Sequence, residues 1–479
     1  MFNKVLLIQP PSSSYLGALR LPTGLGYLSQ ALLENQIDHR IIDLRLRRNL
    51  STLQSEIKSF QPDLIGLSIV SLGYKRTYEL IRHIHEYYPR ASFIVGGAHV
   101  FAWKESVLEE CREIDFGVIQ EGEQVIVELC KGKISPNNIP GLLYWDNGTV
   151  FSGTEPKLIT DLDSLSFPRY GQFDLKRYIS EIPLITSRGC PYRCIFCPNS
   201  LMAKKFRVRS AENVVDEIEY WYSRGIKQFV IDDDCFTLLK ERVYAICDDI
   251  ERRGMRDLFI RCANGIRADK SDRDLLARMR DIGVKEVGFG GDGGNNHVLM
   301  DIVHKGETLE MIEQAIQDAI AVGLEVRLFI VIGHPGETIS DIEDSFTLAQ
   351  KYPLIRLHLN NPIPYPGTEL FEIVRSHNYF LRPPEDYLNN LTDSDNEPVF
   401  ETPELPVDVR RTFLKRARRI ERRVWHQATE RTLENLPIIG TIAGWFLASN
   451  LGQWLFFNNV FMHSLIDKIR YRKMVRVKQ

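Results

Sequence analysis

What most constrains this chain is an alternation of short apolar runs with helical patterns that stops once and restarts. Residues 4–8 read as a buried strand, residues 40–43 as a second and residues 63–68 as a third. Residues 92–97 and 115–119 add a fourth and a fifth. Helical spacing lies between them, with Leu25, Leu28, Leu32 and Leu33 on one side of residues 23–35, and a further helix over 74–88. Strands that alternate with helices build a parallel, doubly wound sheet. After residue 131 the pattern weakens into a hairpin around Asn147-Gly148 and an extended connector over 161–170, Asn-Gly being a strong hairpin signal. It then resumes with strands at 184–187, 228–232, 258–263, 286–289, 325–332 and 355–360. Six such units close naturally into a partial (βα)6 barrel. The expected organisation of this α/β chain is a first domain over 1–140, a linker over 141–180, the barrel over 181–375 and a helical region over 376–479. Ligands of both sheet types bind beyond the carboxyl ends of the strands.

The first strand of the second set runs into Gly189-Cys190-Pro191-Tyr192-Arg193-Cys194-Ile195-Phe196-Cys197-Pro198. Three thiols in C-x3-C-x2-C spacing on one tight loop can converge on a soft metal centre, which means zinc, copper(I) or an iron–sulfur cluster. A structural zinc site wants a fourth ligand at finger spacing, and none follows. A cluster held by three cysteines leaves one iron open; the plain alternative is three core cysteines at accidental spacing. Cys111, Cys130, Cys235, Cys247 and Cys262 lie mostly in apolar surroundings and read as core residues of a protein from a reducing compartment. A net charge of −3 over 479 residues argues against a general nucleic-acid binder.

The cysteine spacing, with Phe196 just before the last cysteine, resembles the cluster loop of the radical S-adenosylmethionine (SAM) enzymes. The resemblance implies a [4Fe–4S] cluster on Cys190, Cys194 and Cys197. It also implies SAM bound at the open iron and reductive cleavage to a 5′-deoxyadenosyl radical, with electrons from a donor such as flavodoxin or ferredoxin. Further SAM contacts fall on barrel strand ends. Asp232, in Asp232-Asp233-Asp234, follows the second strand, although clustered carboxylates equally suit a divalent metal or a helix cap. Arg261 is placed at the end of the third. Asp292, in Gly290-Gly291-Asp292-Gly293-Gly294, follows the fourth, where the family usually has Glu-Ser-Gly. Gly333, Pro335 and Gly336, in Gly333-His334-Pro335-Gly336-Glu337-Thr338, follow the fifth. Pro364-Tyr365-Pro366-Gly367-Thr368 reads as a rigid turn closing the barrel.

The N-terminal third resembles the cobalamin-binding, Rossmann-like domain that precedes many radical SAM domains. Pro22-Thr23-Gly24-Leu25-Gly26-Tyr27-Leu28 and the Gly-Glu segment carry the likeness. It implies corrinoid contacts at the strand ends: Pro10, Ser68, Gly96, Gly97, Glu121 and Gly122. Many cobalamin domains carry Asp-x-His-x-x-Gly after the first strand, whose His ligates cobalt. Here residues 10–17 hold no His, so cobalamin would bind without that ligand, and the resemblance gives His99 no such role. A degenerate domain that binds nothing is the alternative.

Two features mark the C-terminal hundred residues. A basic helix runs through Arg410, Arg411, Lys415, Arg416, Arg418, Arg419, Arg422 and Arg423, opposite Phe413, Leu414, Ala417, Ile420 and Val424. Residues 435–466 contain no Asp, Glu, Lys or Arg, and Lys468 to Lys478 bring a basic cluster after them. That composition suits a helix lying in a membrane interface, with a protein-docked lid or dimer face and a true span as alternatives. The whole reads as a cytoplasmic cobalamin-dependent radical SAM enzyme with peripheral contact to the inner face of the membrane. The expected reaction is methylation of an unactivated carbon of a small, hydrophobic or secondary-metabolite substrate, with no role for nucleic acid. An oxidative cyclase or ring rearrangement is the same-class alternative, and a non-catalytic cobalamin and iron–sulfur sensor is the alternative from another class.

Overall fold

A computed structural model describes residues 1–11, 20–46, 49–199, 205–390, 397–435, 437–449, 451–452 and 454–455. The chain forms two units, one of Met1–Tyr178 with Pro383–Asp393, the other of Ile179–Arg382 with Ser394–Gln479.

In the first unit the apolar runs become parallel strands β1 (Lys4–Gln9), β2 (Asp38–Asp43), β3 (Leu64–Ser68), β4 (Ser92–Gly96) and β5 (Phe116–Val118). Their spatial order is β2-β1-β3-β4-β5. Val5, Leu6, Leu7 and Ile8 are at most 1% exposed, as a strand covered on both faces requires. Two antiparallel strands, β6 (Leu142–Asp146) and β7 (Thr149–Ser152), extend the same sheet beyond β5. Their turn places Asn147 at φ 47° and Gly148 at φ 82°, the pair of positive values that a tight hairpin needs. The hairpin, expected in a linker, therefore belongs to the first unit, because β5 would otherwise leave a bare edge. A helix from the C-terminal region, Pro384–Asn390, also belongs to this unit. Gly73 N–H donates to the Leu388 carbonyl at 2.6 Å, and Lys75 N–H to Asn389 Oδ1 at 2.9 Å.

The second unit contains six parallel strands in sequence order: β8 (Ile182–Leu184), β11 (Gln228–Ile231), β12 (Phe259–Ile266), β13 (Val284–Gly290), β14 (Glu325–Val331) and β15 (Arg356–Asn360). A short antiparallel pair, β9 (Ser187–Arg188) with β10 (Arg207–Val208), sits between the first two. Among the described residues β8 and β15 pair only with β11 and β14, so the barrel is partial. Most of the following helices open on a side-chain cap. Ser210, Asp272, Thr308 and Thr368 each accept from a backbone N–H of their helix, and Thr338 with Asp341 forms a reciprocal capping box. Such caps satisfy the first donors of a helix, and they fix where each loop ends and each helix begins.

The basic helix runs over Val407–Thr432, with Phe413, Leu414, Ala417, Ile420 and Val424 buried. It docks on the barrel. Glu421 accepts from the Leu359 N–H of β15 at 2.7 Å, and Arg416 pairs with Glu343. The helix Pro437–Ala448 folds back on it through Gly440 and Gly444. No helix among the described residues is long and apolar enough to cross a membrane.

Candidate active site

The three thiols leave the barrel from the end of β8, and hydrogen bonds hold their loop at its root and centre. At its root, the buried Asp233 carboxylate accepts from Thr186 N–H at 2.6 Å, from Thr186 Oγ1 and from Ser187 Oγ at 2.7 Å. Asp233 is thus a structural clamp between the loops after β8 and β11. At its centre, Ile195 donates to the Val303 carbonyl at 3.1 Å and accepts from Leu370 N–H at 3.0 Å. The Pro364–Gly367 turn that precedes Leu370 therefore braces the cysteine loop as well as ending β15.

Cations and carboxylates both surround the thiols: Arg267 and Lys305 favour thiolate charge, while Asp234 opposes it at Cys190 and Asp292 at Cys194. Arg267 lies over the Tyr192 ring at 3.4 Å from its centroid and stabilises charge on both Cys190 and Cys194. Lys305 also acts on Cys194. The thiol of Cys235 beside it favours the thiolate form of Cys190, against the effect of burial. Burial pushes Cys194 up to about 12. Among the described residues, no three His, Cys, Asp or Glu side chains could hold one metal ion between them. A four-iron cluster makes a different demand, since each thiolate binds a different iron. Three half-buried cysteines on one braced loop, with two fixed cations beside them, fit that group.

The expected SAM contacts lie around this loop in unequal states. Asp232 is half-buried at the end of β11, its N–H bonded to Leu184 O at 3.0 Å, while Asp234 accepts from Asn199 Nδ2 at 2.7 Å. Arg261 requires a correction. Strand β12 continues to Ile266, so Arg261 stands inside the strand, 4% exposed, with its guanidinium bonded to Glu181. Arg267 occupies the strand end instead. Asp292 is 7% exposed and pairs with Lys305 Nζ at 2.7 Å. Lys305 also reaches Glu307 at 3.3 Å. Burial opposes the charge on Lys305, but Asp292, Glu307 and Cys194 outweigh it and raise its pKa.

After β14, Gly333 adopts φ 95° and its carbonyl accepts from Arg410 Nη1 at 2.8 Å. A Cβ at Gly333 would lie 2.8 Å from that nitrogen, so the turn requires glycine. A Cβ on Gly336, at φ 94°, would lie 3.5 Å from the Ile302 side chain. Glu337 closes the turn on itself, accepting from the N–H groups of Gly333 and His334. Burial raises its carboxyl to about 8. Phe196 meets His334 with ring centroids 5.4 Å apart. The imidazole of His334 is fully buried, with no protein hydrogen-bond partner at either nitrogen, and burial lowers it to about 4. Lys305, Glu307, Glu181 and Arg410 were not read from the sequence as site residues. Nothing in spacing marks a lone charged residue that its fold will bury.

In the first unit, the carboxyl ends of β1, β3, β4 and β5 lie along one edge, as parallel pairing dictates. Pro10 is buried after β1. Ser68 and Gly97 touch: at φ 102°, a Cβ on Gly97 would lie 2.9 Å from Ser68 Oγ. A Cβ on Gly96 would lie 3.8 Å from the Val118 side chain. Glu121 accepts from Ile159 N–H at 2.7 Å, and Gly122 precedes the helix Glu123–Lys131. Gln120, at φ 76°, holds a buried side-chain oxygen without a protein partner at this edge. Small residues and one unsatisfied acceptor at the strand ends fit a flat, amide-bearing ligand such as a corrinoid. His99 is buried, stacks on Tyr74 at 4.2 Å and bonds the Tyr78 hydroxyl at 3.1 Å. It is a core residue. The loop expected to lack a cobalt-ligating His includes residues 12–17, which lie outside the described residues.

The Radical SAM superfamily model matches residues 184–349, and the B12 binding domain model matches residues 18–130. An uncharacterized methyltransferase of Pyrococcus horikoshii is 30% identical over 393 residues, 79% of this chain and 84% of that protein. This chain belongs to the B12-binding radical SAM enzymes. Their cofactors are a [4Fe–4S] cluster, SAM and cobalamin. The anaerobic magnesium-protoporphyrin IX monomethyl ester cyclase of Cereibacter sphaeroides is 27% identical, over 74% of this chain and 60% of that protein. Among solved structures, the radical SAM methyltransferase TsrM of Kitasatospora setae, with cobalamin and a [4Fe–4S] cluster bound, aligns over the full length of both chains. Its TM-score is 0.68 at 18% identity, which is a likeness of fold.

Proposed function

We propose that this radical SAM enzyme is a cobalamin-dependent methyltransferase acting on a carbon of a small apolar molecule. The similarity to a methyltransferase over 84% of that protein's length carries the reading, and the braced three-thiol loop supplies the chemistry. When bound, the cluster, SAM and cobalamin supply radical formation and a methyl group; the protein supplies placement. Cys190, Cys194 and Cys197 hold the cluster. Arg267 and Lys305 favour thiolate charge beside it, and Phe196 packs against His334. Asp232, Asp292 and the backbone of Gly333, Pro335 and Gly336 offer polar contacts to SAM. Pro10, Ser68, Gly96, Gly97, Glu121 and Gly122 form the edge for cobalamin. A flavodoxin or ferredoxin delivers the electron.

The test is anaerobic reconstitution with iron, sulfide and hydroxocobalamin, followed by incubation with SAM, a reductant and a cell extract. Methyl transfer gives S-adenosylhomocysteine alongside 5′-deoxyadenosine and a methylated product. Deoxyadenosine alone would indicate a cyclase or rearrangement, and neither product would indicate a sensor.

The apolar substrate goes with a proposed contact to a membrane surface. The helix Pro437–Ala448 leaves Ile438, Ile442 and Trp445 at 65–76% exposure, and each such side chain gains about 1.5–3 kcal/mol when fully buried. Basic residues at 468–478 would add attraction to an anionic leaflet. The remainder of the uncharged stretch, 456–466, lies outside the described residues. Co-sedimentation with anionic liposomes, comparing the full chain with a truncation after Asn435, decides this. Equal sedimentation would favour a docked lid and withdraw the membrane contact.

A further inference from the structure

A second thiol stands against the cluster loop. Cys235 follows β11 in Asp232-Asp233-Asp234-Cys235, is 2% exposed, and its Sγ lies 3.4 Å from Cys190 Sγ. The juxtaposition is built into the barrel. Strands β8 and β11 are parallel neighbours, with Ile231 opposite Leu184, so their carboxyl ends deliver the two loops side by side. The Asp233 clamp on Thr186 and Ser187 then ties those loops together. Cys190 sits in the turn begun by Gly189 at φ 91°, and Cys235 on the short helical turn Phe236–Leu238. The other cysteines of this unit outside the cluster loop, Cys247 and Cys262, are buried in its core.

We propose that Cys190 and Cys235 form an oxidation site: in the cluster-free chain they close a disulfide that withdraws one cluster ligand until it is reduced. A disulfide spans about 2.05 Å between sulfurs, so the pair must approach by about 1.4 Å, within reach of side-chain rotation. Two thiols lose two protons and two electrons and gain one S–S bond. Dioxygen accepts both and leaves as hydrogen peroxide, or a small disulfide accepts them and leaves as two thiols. With the cluster in place, Cys190 is bound to iron and the bond cannot form. Cluster and disulfide are therefore alternative states of the same residue. The inference rests on the reading of the three-thiol loop as the cluster site, but its test needs no turnover.

The experiment exposes the full-length, metal-free protein to air or to oxidised glutathione, blocks free thiols by alkylation, and maps linked peptides by mass spectrometry. The expected result is a Cys190–Cys235 crosslink with Cys194 and Cys197 alkylated, and no crosslink when the reconstituted protein is treated with oxidised glutathione under anaerobic conditions. Oxidised wild type should take up no iron and sulfide until a dithiol is added, whereas Cys235→Ser treated alike should take them up directly. Cys235→Ala serves if the serine variant folds poorly, and the wild-type map stands without either. A Cys194–Cys197 crosslink, or Cys235 recovered fully alkylated, overturns the proposal. A crosslink that forms in a chain that never binds a cluster after reduction would leave the pair standing and defeat the cluster reading instead.

Discussion

Replacing Asp233 with Ala tests whether the cluster site is held from outside the cysteine loop. The carboxylate accepts three hydrogen bonds from Thr186 and Ser187, and Arg242 Nη2 donates to the Thr186 carbonyl at 3.1 Å from the other side. Each buried donor left unsatisfied costs about 1–3 kcal/mol. Three of them would cost about 3–9 kcal/mol, less the desolvation penalty that burial imposes on the carboxylate itself and that raises its pKa. A net loss of about 3–5 kcal/mol follows, in line with breaking a buried charged pair. Asp233→Asn keeps the shape and one good acceptor for the Thr186 N–H, and the two hydroxyls can rotate to accept from its amide, so its loss should be about 1–2 kcal/mol. At a urea m-value of about 3 kcal/mol/M, the alanine variant should unfold about 1–1.7 M earlier than wild type. The assay is urea unfolding of cluster-free protein, with iron per chain measured after reconstitution. Ala should lower both midpoint and iron content, and Asn should retain most iron. An alanine variant with wild-type midpoint and full iron would refute the clamp.

Three further perturbations act on separate parts of the molecule. Arg410→Met removes the donors to the Gly333 and Leu405 carbonyls and should weaken SAM binding about tenfold, or about 1.4 kcal/mol. Equilibrium dialysis measures this, and partial rescue by Arg410→Lys would separate turn positioning from general damage. Lys305→Met leaves Asp292 buried without its cation, while Glu307 keeps Arg267 at 3.7 Å, and should destabilise the barrel unit by about 3–5 kcal/mol, read from chemical denaturation. In the first unit, burial lowers His99 from 6.5 to about 3, so the folded state stays neutral while the unfolded chain takes up a proton. Its contribution is fully present above about pH 6.5 and is lost as pH falls towards about 3, at about 1.4 kcal/mol per pH unit. His99→Phe, which keeps a ring against Tyr74, should flatten that part of the stability–pH curve by one proton.

Legibility followed the physical origin of each feature. Both sheets were readable because a strand buried on two faces must be a continuous apolar run, and five of these in 1–140 and six in 182–360 sit close to their observed positions. The three-thiol loop was visible because its spacing lies within ten residues and needs no tertiary information. The hairpin was visible, but not its attachment to β5, which depends on the bare sheet edge rather than on the local Asn-Gly turn. Arg261 was misplaced for a related reason. A strand's carboxyl end is set by where its neighbour's pairing stops, and the Cys262–Ile266 stretch continues against β13 through an irregular register.

The C-terminal helix shows what pattern reading could not supply. Its run of arginines reads as one solvated face, and most of them are: Arg411, Arg416 and Arg423 make exposed contacts with Glu397, Glu343 and Gln350. Arg410 belongs to the same run and does something else. It is 3% exposed, lies 4.3 Å from the Phe400 ring centroid and reaches the carbonyl of Gly333, in the turn proposed to meet SAM. Burial lowers its pKa to about 10, and the carboxylates of Glu337, Glu401 and Glu404 act to raise it. A buried guanidinium is costly unless its donors are used, and two of its three nitrogens donate to backbone carbonyls. The glycine that permits this approach and the arginine that makes it are 77 residues apart in sequence. The two therefore act as one element of the turn after β14, and the C-terminal helix helps to fix the turn proposed to meet SAM, apart from any contact it makes with a membrane.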